Sequence, residues 1–269
     1  DVSTVHVCHT VRARALAGLL PLRTRIHHRV CRFWESRLYP RFPYLIAISA
    51  KVREELRALG RHGGMATVLH GVGSEFTPAA DRGAVRKKLA DWFSIPADEP
   101  WFLFVGGEFL VKGLDRVLEF LAAARGVKPW LWVLGNDHLA HWKQEAERRG
   151  VADRVRWPEF LADTASFYQA CDLLLLPSRY DAFGLPALEA MACGCPVLVS
   201  DQAGVAELVE HGKEGWVVPG NAPVASWLPP ISALLTDRAR WEECSGHAVR
   251  KAVAHTWEQA QQALTAVGL

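Results

Sequence analysis

Short runs of β-branched, leucine and aromatic residues alternate along this chain with helical segments of about 10 to 16 residues. Such alternation is typical of βαβ units, in which crossover helices join parallel strands. The sequence therefore predicts an α/β fold.

Ser49 is the predicted N-cap of a helix over Lys51–Leu59 that Gly60 ends. The predicted strands are Val5–Val7, Tyr44–Ile48, Ala66–Leu69, Trp101–Val105, Trp130–Leu134, Val155–Trp157, Leu173–Leu176, Pro196–Val199 and Trp216–Val218.

The alternation becomes regular only after Gly71–Pro78, where turn residues interrupt the periodicity. Six strands between Trp101 and Val218 predict one complete doubly wound domain. The piece before them holds only three candidate strands and starts, without a methionine, in strand-like sequence, so we expect it to continue upstream. The predicted parts are residues 1–72, the remainder of an N-terminal domain; 73–252, a C-terminal domain; and 253–269, a helix for which a return to the first domain is left open.

Charge is distributed unevenly. The formal net charge of +2 gives no reason to expect a nucleic-acid partner. Between Arg12 and Arg41, however, eight arginines stand against one acid, Glu35, so this segment carries about +7 and the rest of the chain about −5. The segment either docks on an anionic membrane surface or forms a solvated helix face. The aromatic residues within it are Phe33, Trp34, Tyr39 and Phe42.

Six cysteines show no disulfide framework, which predicts a reducing cytosol. Cys193 and Cys195 are separated by a single residue, a spacing that fits structural zinc sites poorly. Both are predicted to be small buried residues. No apolar run reaches the roughly 18 residues of a membrane span. We expect a cytoplasmic protein, with peripheral attachment at the inner face of the cytoplasmic membrane as an option.

The most informative segment covers residues 177–197. It places Asp181 in a loop after a strand and Glu189 one turn into a helix that Pro186 is suited to open. Ligands of open α/β sheets bind at such strand ends, and a helix start offers N–H groups and a positive dipole to a diphosphate. The plainer alternative is that Asp181 caps a turn and Glu189 complements the dipole. The residues leading into the helix are Phe183, Gly184 and Leu185.

A second segment over 104–118 has a strand, a glycine turn and a helix, with Gly106, Gly107 and Lys112 after the strand. A glycine pair is weak by itself, and a lone lysine is most often solvated. A cation at a strand end can nevertheless meet the charge that develops on a departing diphosphate. No Asp-x-Asp metal motif accompanies it, and no metal or cofactor is expected.

Together the two segments resemble the family-four retaining glycosyltransferases of GT-B fold, in particular the branch that builds lipopolysaccharide cores. The family hallmark is a pair of acids separated by seven residues around a Phe-Gly-Leu-Pro-like loop, a spacing that Asp181 and Glu189 match. The resemblance implies that Asp181 holds donor-sugar hydroxyls, Glu189 accepts bonds from the ribose and Lys112 neutralises the diphosphate. The first acid is commonly Glu, and an arginine commonly stands at the position of Gly107.

The resemblance extends to weaker features. Trp157 to Phe160 matches the strand and loop beside the base, so Trp157 and Phe160 are candidate base contacts. A histidine at the end of the first strand often faces the donor sugar in this family, which makes His6 and His9 alternative candidates. In general an aromatic residue at a strand end is more often part of the core, and a histidine there is more often an ordinary hydrogen-bonded residue.

The implied fold has two Rossmann-like lobes around a cleft. The resemblance makes residues 1–72 the remainder of the acceptor domain and residues 73–252 the complete nucleotide-sugar-binding domain. The implied reaction moves a hexose from a UDP-sugar, or less favoured a GDP-sugar, to a glycan or glycolipid hydroxyl of the cell envelope, such as lipopolysaccharide, with retention of configuration. Two alternatives stay open: a non-catalytic nucleotide-sugar-binding remnant or split-enzyme subunit, and a nucleotide-sugar epimerase. A glycoside hydrolase is disfavoured, because its two acids would have to flank the scissile bond.

Overall fold

A computed structural model describes residues 2–5, 8–16, 19, 22–61, 63–124, 126–158 and 163–266. Two parallel sheets organise these residues, one of three strands and one of six. The α/β class with Rossmann-like units is therefore confirmed. No helix within the described ranges combines the length and apolarity that crossing a membrane requires.

The first sheet contains β1 (Val2–Val5), β2 (Tyr44–Ala47) and β3 (Gly64–Thr67), paired in that order. Its helices are α1 (His9–Ala15), α2 (Leu22–Leu38) and α3 (Ala50–Ala58). Ser49 is the N-cap of α3, accepting a bond from the Val52 N–H at 3.1 Å, and Gly60 follows the helix with φ +86°. Both predictions about this helix are confirmed.

Two predicted strands of this sheet were misplaced. The first, predicted to begin at Val5, begins at Val2, and residues 6 and 7 of the predicted range lie outside the described part of the chain. The third starts two residues before its predicted start and ends at Thr67. The reason is that β2 ends at Ala47, where the chain turns into the α3 cap, so its neighbour finds ladder partners only from Gly64 to Thr67.

The second sheet has the order β6-β5-β4-β7-β8-β9. Its strands are β4 (Trp101–Val105), β5 (Trp130–Leu134), β6 (Val155–Arg156), β7 (Leu173–Leu176), β8 (Val197–Ser200) and β9 (Gly215–Val218). The helices around it are α4 (Arg82–Phe93), α5 (Phe109–Lys112), α6 (Leu114–Ala123), α7 (Leu139–Arg148), α8 (Ala165–Ala170), α9 (Leu185–Ala192), α10 (Leu228–Thr236), α11 (Arg238–Ala252) and α12 (Trp257–Ala266).

The strand order reverses between β4 and β7. From β4 the chain adds β5 and β6 on one side, and then crosses back to place β7, β8 and β9 on the other. The loops that leave β4 and β7 therefore diverge and open a crevice at their carboxyl ends, which is where open α/β sheets bind ligands. Both sequence segments selected above begin there.

Both faces of the second sheet are covered, so its central strands are apolar at every position. Along β4, Trp101 contacts Trp132 on one face, with ring centroids 5.3 Å apart, while Phe104 contacts Phe109 on the other at 5.6 Å. Cys193 and Cys195 are free and buried, as predicted. This rigid core supports the loops at the crevice.

The end of the chain reaches the last residues of the first sheet's segment. The Val72 N–H donates to the His255 carbonyl at 2.9 Å, and the ring of His70 lies edge-on to Trp257, which begins α12, with centroids 5.4 Å apart. The segments that carry the two sheets also contact each other near the cap of α3, because the Ser49 hydroxyl donates to the Ala182 carbonyl at 2.6 Å.

Candidate functional site

A cavity of about 320 Å³ lies at the crevice between the two sheets. The first sheet's segment contributes one side of it, and the loops after β4 and β7 contribute the other. The lining residues of the first segment are Arg12, Ile48 and His70; those of the second are Glu108, Val111, Lys112, Tyr180, Asp181, Ala182, Phe183, Gly184, Leu185 and Pro186. The structure thus brings Lys112 together with the predicted loop residues 181 and 183–186.

Lys112 and Asp181 form an ion pair at the centre of this cavity. The distance between Lys112 Nζ and Asp181 Oδ2 is 2.5 Å, and the side chains are 22% and 9% exposed. Gly106, at φ +158°, permits this geometry, because a Cβ there would lie 3.2 Å from Lys112 Cγ. A Cβ on Gly107 would find ordinary contact at 3.7 Å. Gly106 is therefore needed sterically, whereas Gly107 is not.

The backbone around Asp181 is fixed from the neighbouring loop. Its N–H donates to the Gln202 carbonyl at 3.0 Å, and its carbonyl accepts from the Gly204 N–H at 3.1 Å. One Asp181 carboxylate oxygen also accepts from the Phe183 N–H at 3.4 Å, and the other meets Lys112. The carboxylate consequently stays aimed into the cavity.

The start of α9 forms one wall of the site. Gly184 has φ +100°, and a Cβ there would lie 3.0 Å from the Val205 side chain, so the turn into the helix requires glycine. Leu185 is the first helical residue, and Pro186 is the second. Within this turn Pro186 has no N–H and the Ala187 N–H donates to the Gly184 carbonyl at 3.0 Å, so the helix start contributes mainly the positive end of the dipole. This wall can therefore receive an anion.

Glu189 lies one turn further along α9 and is not among the residues that line the cavity. The Tyr168 hydroxyl donates to its Oε2 at 2.6 Å. Burial raises the pKa of Glu189 above its ordinary value, against the opposing effect of the Tyr168 bond. A half-buried carboxylate with a single protein donor keeps lone pairs that a ligand's hydroxyls can use.

The remaining predicted site residues do not line this cavity. Trp157 is half-buried after β6, at the edge of the sheet, and packs against the core. His9 begins α1, with its Nδ1 3.3 Å from His28 Nδ1 and its backbone N–H bonded to Glu35. His6 and Phe160 lie outside the described residues.

Arg12 opens the arginine segment that was expected either to dock on an anionic membrane surface or to form a solvated helix face, and the structure places its side chain inside the cavity instead. Its side chain is 13% exposed, lines the cavity and pairs with Glu108 in the loop after β4. Glu35, the only acid of the segment, is buried and accepts bonds from the Thr10 N–H at 2.9 Å and the Thr10 hydroxyl at 2.8 Å. These pairings join residues far apart in sequence, so no local spacing could have revealed them.

Tyr180, next to Asp181, was also missed. Its hydroxyl accepts from the Cys8 N–H at 3.2 Å and donates to Glu55 Oε2 at 2.9 Å. Lys51 forms an ion pair with Glu55 and lies 3.9 Å from the centre of the Tyr180 ring. Burial raises the pKa of the Tyr180 hydroxyl, so it remains a donor throughout the ordinary pH range. The residue before the site carboxylate is thereby anchored in the first sheet's segment.

Solved structures with this arrangement of two sheets define the class of fold as that of GT-B glycosyltransferases. Sucrose-phosphate synthase from Thermosynechococcus elongatus superposes with a TM-score of 0.83 at 23% identity, covering 99% of this chain and 66% of that one. Anabaena Alr3699/HepE in complex with UDP and glucose gives 0.80 at 21%, covering 99% and 71%. WaaG, a glycosyltransferase involved in lipopolysaccharide biosynthesis, gives 0.79 at 21%, covering 98% and 73%.

The sequence itself identifies the family. Residues 85–249 match the glycosyl transferases group 1, and the chain belongs to that family. It is also similar to D-inositol 3-phosphate glycosyltransferases: that of Geodermatophilus obscurus is 31% identical over 286 residues, covering 99% of this chain and 61% of the relative. The protein of the same name from Jonesia denitrificans is 29% identical over 290 residues, covering 99% and 66%. The chain thus spans about three fifths to two thirds of these relatives.

Proposed function

We propose that this chain carries the donor site of a glycosyltransferase that moves a hexose from a UDP-sugar to a hydroxyl group, with retention of configuration. The observation that carries the proposal is the Lys112–Asp181 pair beside the start of α9, at the point where the strand order reverses. Membership in the group 1 family supports transfer over epimerisation. The UDP named in the HepE structures, which share the fold, supports uridine as the base.

In the proposed reaction the bond between the anomeric carbon and the diphosphate oxygen breaks, and its electron pair leaves with the diphosphate. Lys112 and the first turn of α9 meet that charge without a metal, as electrostatic stabilisers of the transition state. When the donor binds, the Asp181 carboxylate gives up its ion pair with Lys112 and accepts hydrogen bonds from hydroxyls of the sugar. Glu189 accepts hydrogen bonds from the ribose. The acceptor hydroxyl forms the new bond to the anomeric carbon and transfers its proton to the oxygen of the departing diphosphate.

Two acceptor classes follow from different observations. A glycan or glycolipid of the cell envelope, such as a lipopolysaccharide, is the acceptor that the loop motif suggests, and the WaaG fold is consistent with it. An inositol phosphate is the alternative that the names of the relatives suggest. Product analysis with each acceptor would separate the two.

Donor binding is tested by isothermal titration with UDP, UDP-glucose, UDP-GlcNAc, GDP and GDP-mannose. We expect saturable binding of the uridine compounds. Glu189→Gln should weaken UDP binding about tenfold or more, since a charge-assisted hydrogen bond to the ribose is lost while Tyr168 keeps an acceptor. Failure of the unchanged chain to bind any of these compounds would refute the proposed donor site.

The same variant should be more stable at pH 7. Burial raises the pKa of Glu189, so the folded state prefers its neutral form. This preference favours folding below the ordinary pKa and is lost as pH rises through the raised value. Gln avoids that loss, and its melting temperature should exceed the unchanged protein's at pH 7 and converge with it near pH 4. A melting temperature at pH 7 that is equal or lower would show that Glu189 is not penalised by burial.

We further propose that α2 binds an anionic membrane surface. Its inward face carries the buried polar residues His28 and Glu35, whereas exposed apolar side chains form the opposite face. Exposed arginines stand at positions 29, 32 and 37 of the same helix, and the Arg37 guanidinium lies 4.2 Å from the centre of the Phe33 ring. Basic residues contribute about 1 kcal/mol each near anionic lipid, in addition to apolar burial. The exposed apolar residues are Ile26, Val30, Phe33, Trp34 and Leu38.

In flotation assays the protein should bind vesicles containing phosphatidylglycerol more strongly than pure phosphatidylcholine vesicles. The double variant Phe33→Ser/Trp34→Ser should bind at least about tenfold less, because each buried aromatic side chain contributes about 1.5–3 kcal/mol. Trp92→Ser is the control, since Trp92 is even more exposed, 69% against 53% for Trp34, but lies on α4. Equal flotation with neutral and anionic vesicles would exclude this surface.

A further inference from the structure

The proposed donor site has few cations on the side of the second sheet. A nucleoside diphosphate carries about two to three negative charges. Lys112 is already paired with Asp181, and the arginine that the sequence resemblance places shortly before the lysine is replaced by Gly107. The space at Gly107 would accept a side chain, so its small size is not imposed by packing. A second cation has to come from elsewhere if the diphosphate is to be neutralised.

The first sheet's segment provides one. Arg12 and Lys112 are the only Arg or Lys among the described residues that line the cavity. The Arg12 side chain is 13% exposed, and its Nε is buried without a hydrogen-bond partner in the described part of the chain. A guanidinium with an unused donor suits a phosphate, which it can bind through two parallel hydrogen bonds.

The support of Arg12 is rigid. Its helix, α1, is held at its start by the buried Glu35 carboxylate, which accepts from the N–H groups of His9 and Thr10 and from the Thr10 hydroxyl. The negative charge also complements the positive end of that helix. Arg12 is thus presented to the cavity from a fixed position.

A ligand can take the place of Glu108, the ion-pair partner of Arg12, at little cost. The Glu108 side chain is 59% exposed, and an ion pair with a solvated member is weak. Glu108 lies at φ +47° at the head of α5, where its carbonyl accepts from the Val111 N–H at 2.8 Å and the Lys112 N–H at 3.1 Å. The backbone of Glu108 therefore fixes the turn that ends at Lys112, while its side chain reaches across the mouth of the cavity to Arg12.

We propose that Arg12 binds the donor diphosphate from the opposite side of the cleft, and that Glu108 occupies Arg12 only until the donor arrives. The inference rests on the proposed function and adds to it a residue and an order of events. Donor binding exchanges the Arg12–Glu108 pair for an Arg12–phosphate contact. The diphosphate then bridges Lys112 on one side of the cleft and Arg12 on the other.

The test compares titrations of UDP and uridine with four single variants whose folding is verified by thermal melting. Arg12→Gln should weaken UDP binding by about tenfold to a hundredfold and leave uridine binding within twofold, since only the diphosphate contact is lost. Arg12→Lys should lose about tenfold, because it keeps the charge without the planar fork. Arg14→Gln, which changes an exposed arginine on the same helix, should match the unchanged protein.

Glu108→Gln separates the proposal from a merely structural ion pair. It removes the competitor of the phosphate and a negative charge, so UDP should bind more tightly, by about threefold or more. If Arg12→Gln and Glu108→Gln weaken UDP binding alike, or if Arg12→Gln binds UDP within twofold of the unchanged protein, the inference is overturned while the donor site stands. If the unchanged protein binds no uridine nucleotide, both the donor site and the role of Arg12 are overturned.

Discussion

Replacing Lys112 by alanine is expected to lower kcat by at least about a hundredfold while the protein stays folded, because one cation that stabilises a leaving group is typically worth about 3–4 kcal/mol. Lys112 is the last residue of α5, the short helix after β4, and it is the cation that the second sheet's segment contributes to the lining of the cavity among the described residues. The measurement is the release of UDP from the UDP-sugar by the protein that carries this chain. A thermal melt of the same sample reports on folding.

Two controls sharpen that result. Lys87→Ala removes a lysine whose side chain is 73% exposed and should leave kcat unchanged. The double variant Lys112→Ala/Asp181→Asn removes the carboxylate charge that the single variant would leave unpaired in a buried position. If the double variant recovered turnover, the loss would come from stranding Asp181 and not from the missing cation; we expect no recovery. Turnover near normal in the single variant would refute the role assigned to Lys112.

Asp172→Ala is expected to cost about 3–5 kcal/mol of unfolding free energy, since it leaves a buried guanidinium without its counter-ion. Asp172 lies just before β7. Its carboxylate accepts from Arg82 at 2.6 Å, from Arg86 at 3.1 Å and from the Trp101 N–H at 2.8 Å. Burial already lowers the pKa of Arg86, and removal of Asp172 takes away the nearest opposite charge. The variant also removes the side-chain bond to the Trp101 N–H at the start of β4, while the backbone bond from the Asp172 N–H to the Trp101 carbonyl remains.

Chemical denaturation measures this loss. Asp91→Ala is the matched control, because Asp91 pairs with Lys87 on the surface and should change stability by less than about 0.5 kcal/mol. Asp172→Asn should lie between the two, since the amide oxygen still accepts from the Trp101 N–H. A loss for Asp172→Ala as small as that of the surface control would show that the arginines are adequately held by the backbone carbonyls they also contact.

The central strands could be predicted closely from the sequence. β4, β5 and β7 have their predicted bounds, because a strand covered on both faces is a continuous apolar run between polar turns. The strand predicted to begin at Pro196 starts one residue later, at Val197. The loops of the candidate site were also identified in advance, since the strand alternation already places them at one edge of a parallel sheet.

The long-range polar contacts could not be predicted. Arg12 and Glu108 are separated by 96 residues, and Tyr180 and Glu55 by 125. Charge counting placed Arg12 with its neighbours on a surface, although the structure turns it into the cavity. It likewise treated Glu35 as a lone acid among arginines, although it is the buried anchor of α1. The division into residues 1–72, 73–252 and 253–269, and the base contact assigned to Trp157, stay predictions.

Tyr180 couples the angle between the two lobes to the position of the site carboxylate, which could otherwise change independently of each other. Its hydroxyl bonds to Cys8 and Glu55 in the first sheet's segment, whereas Asp181, one peptide bond later, points into the site. Rotation of one lobe against the other must either break the two Tyr180 bonds or displace the Asp181 backbone. A change in the angle between the lobes is therefore coupled to the position of the carboxylate that we propose binds the sugar. Opening the cleft also withdraws that carboxylate.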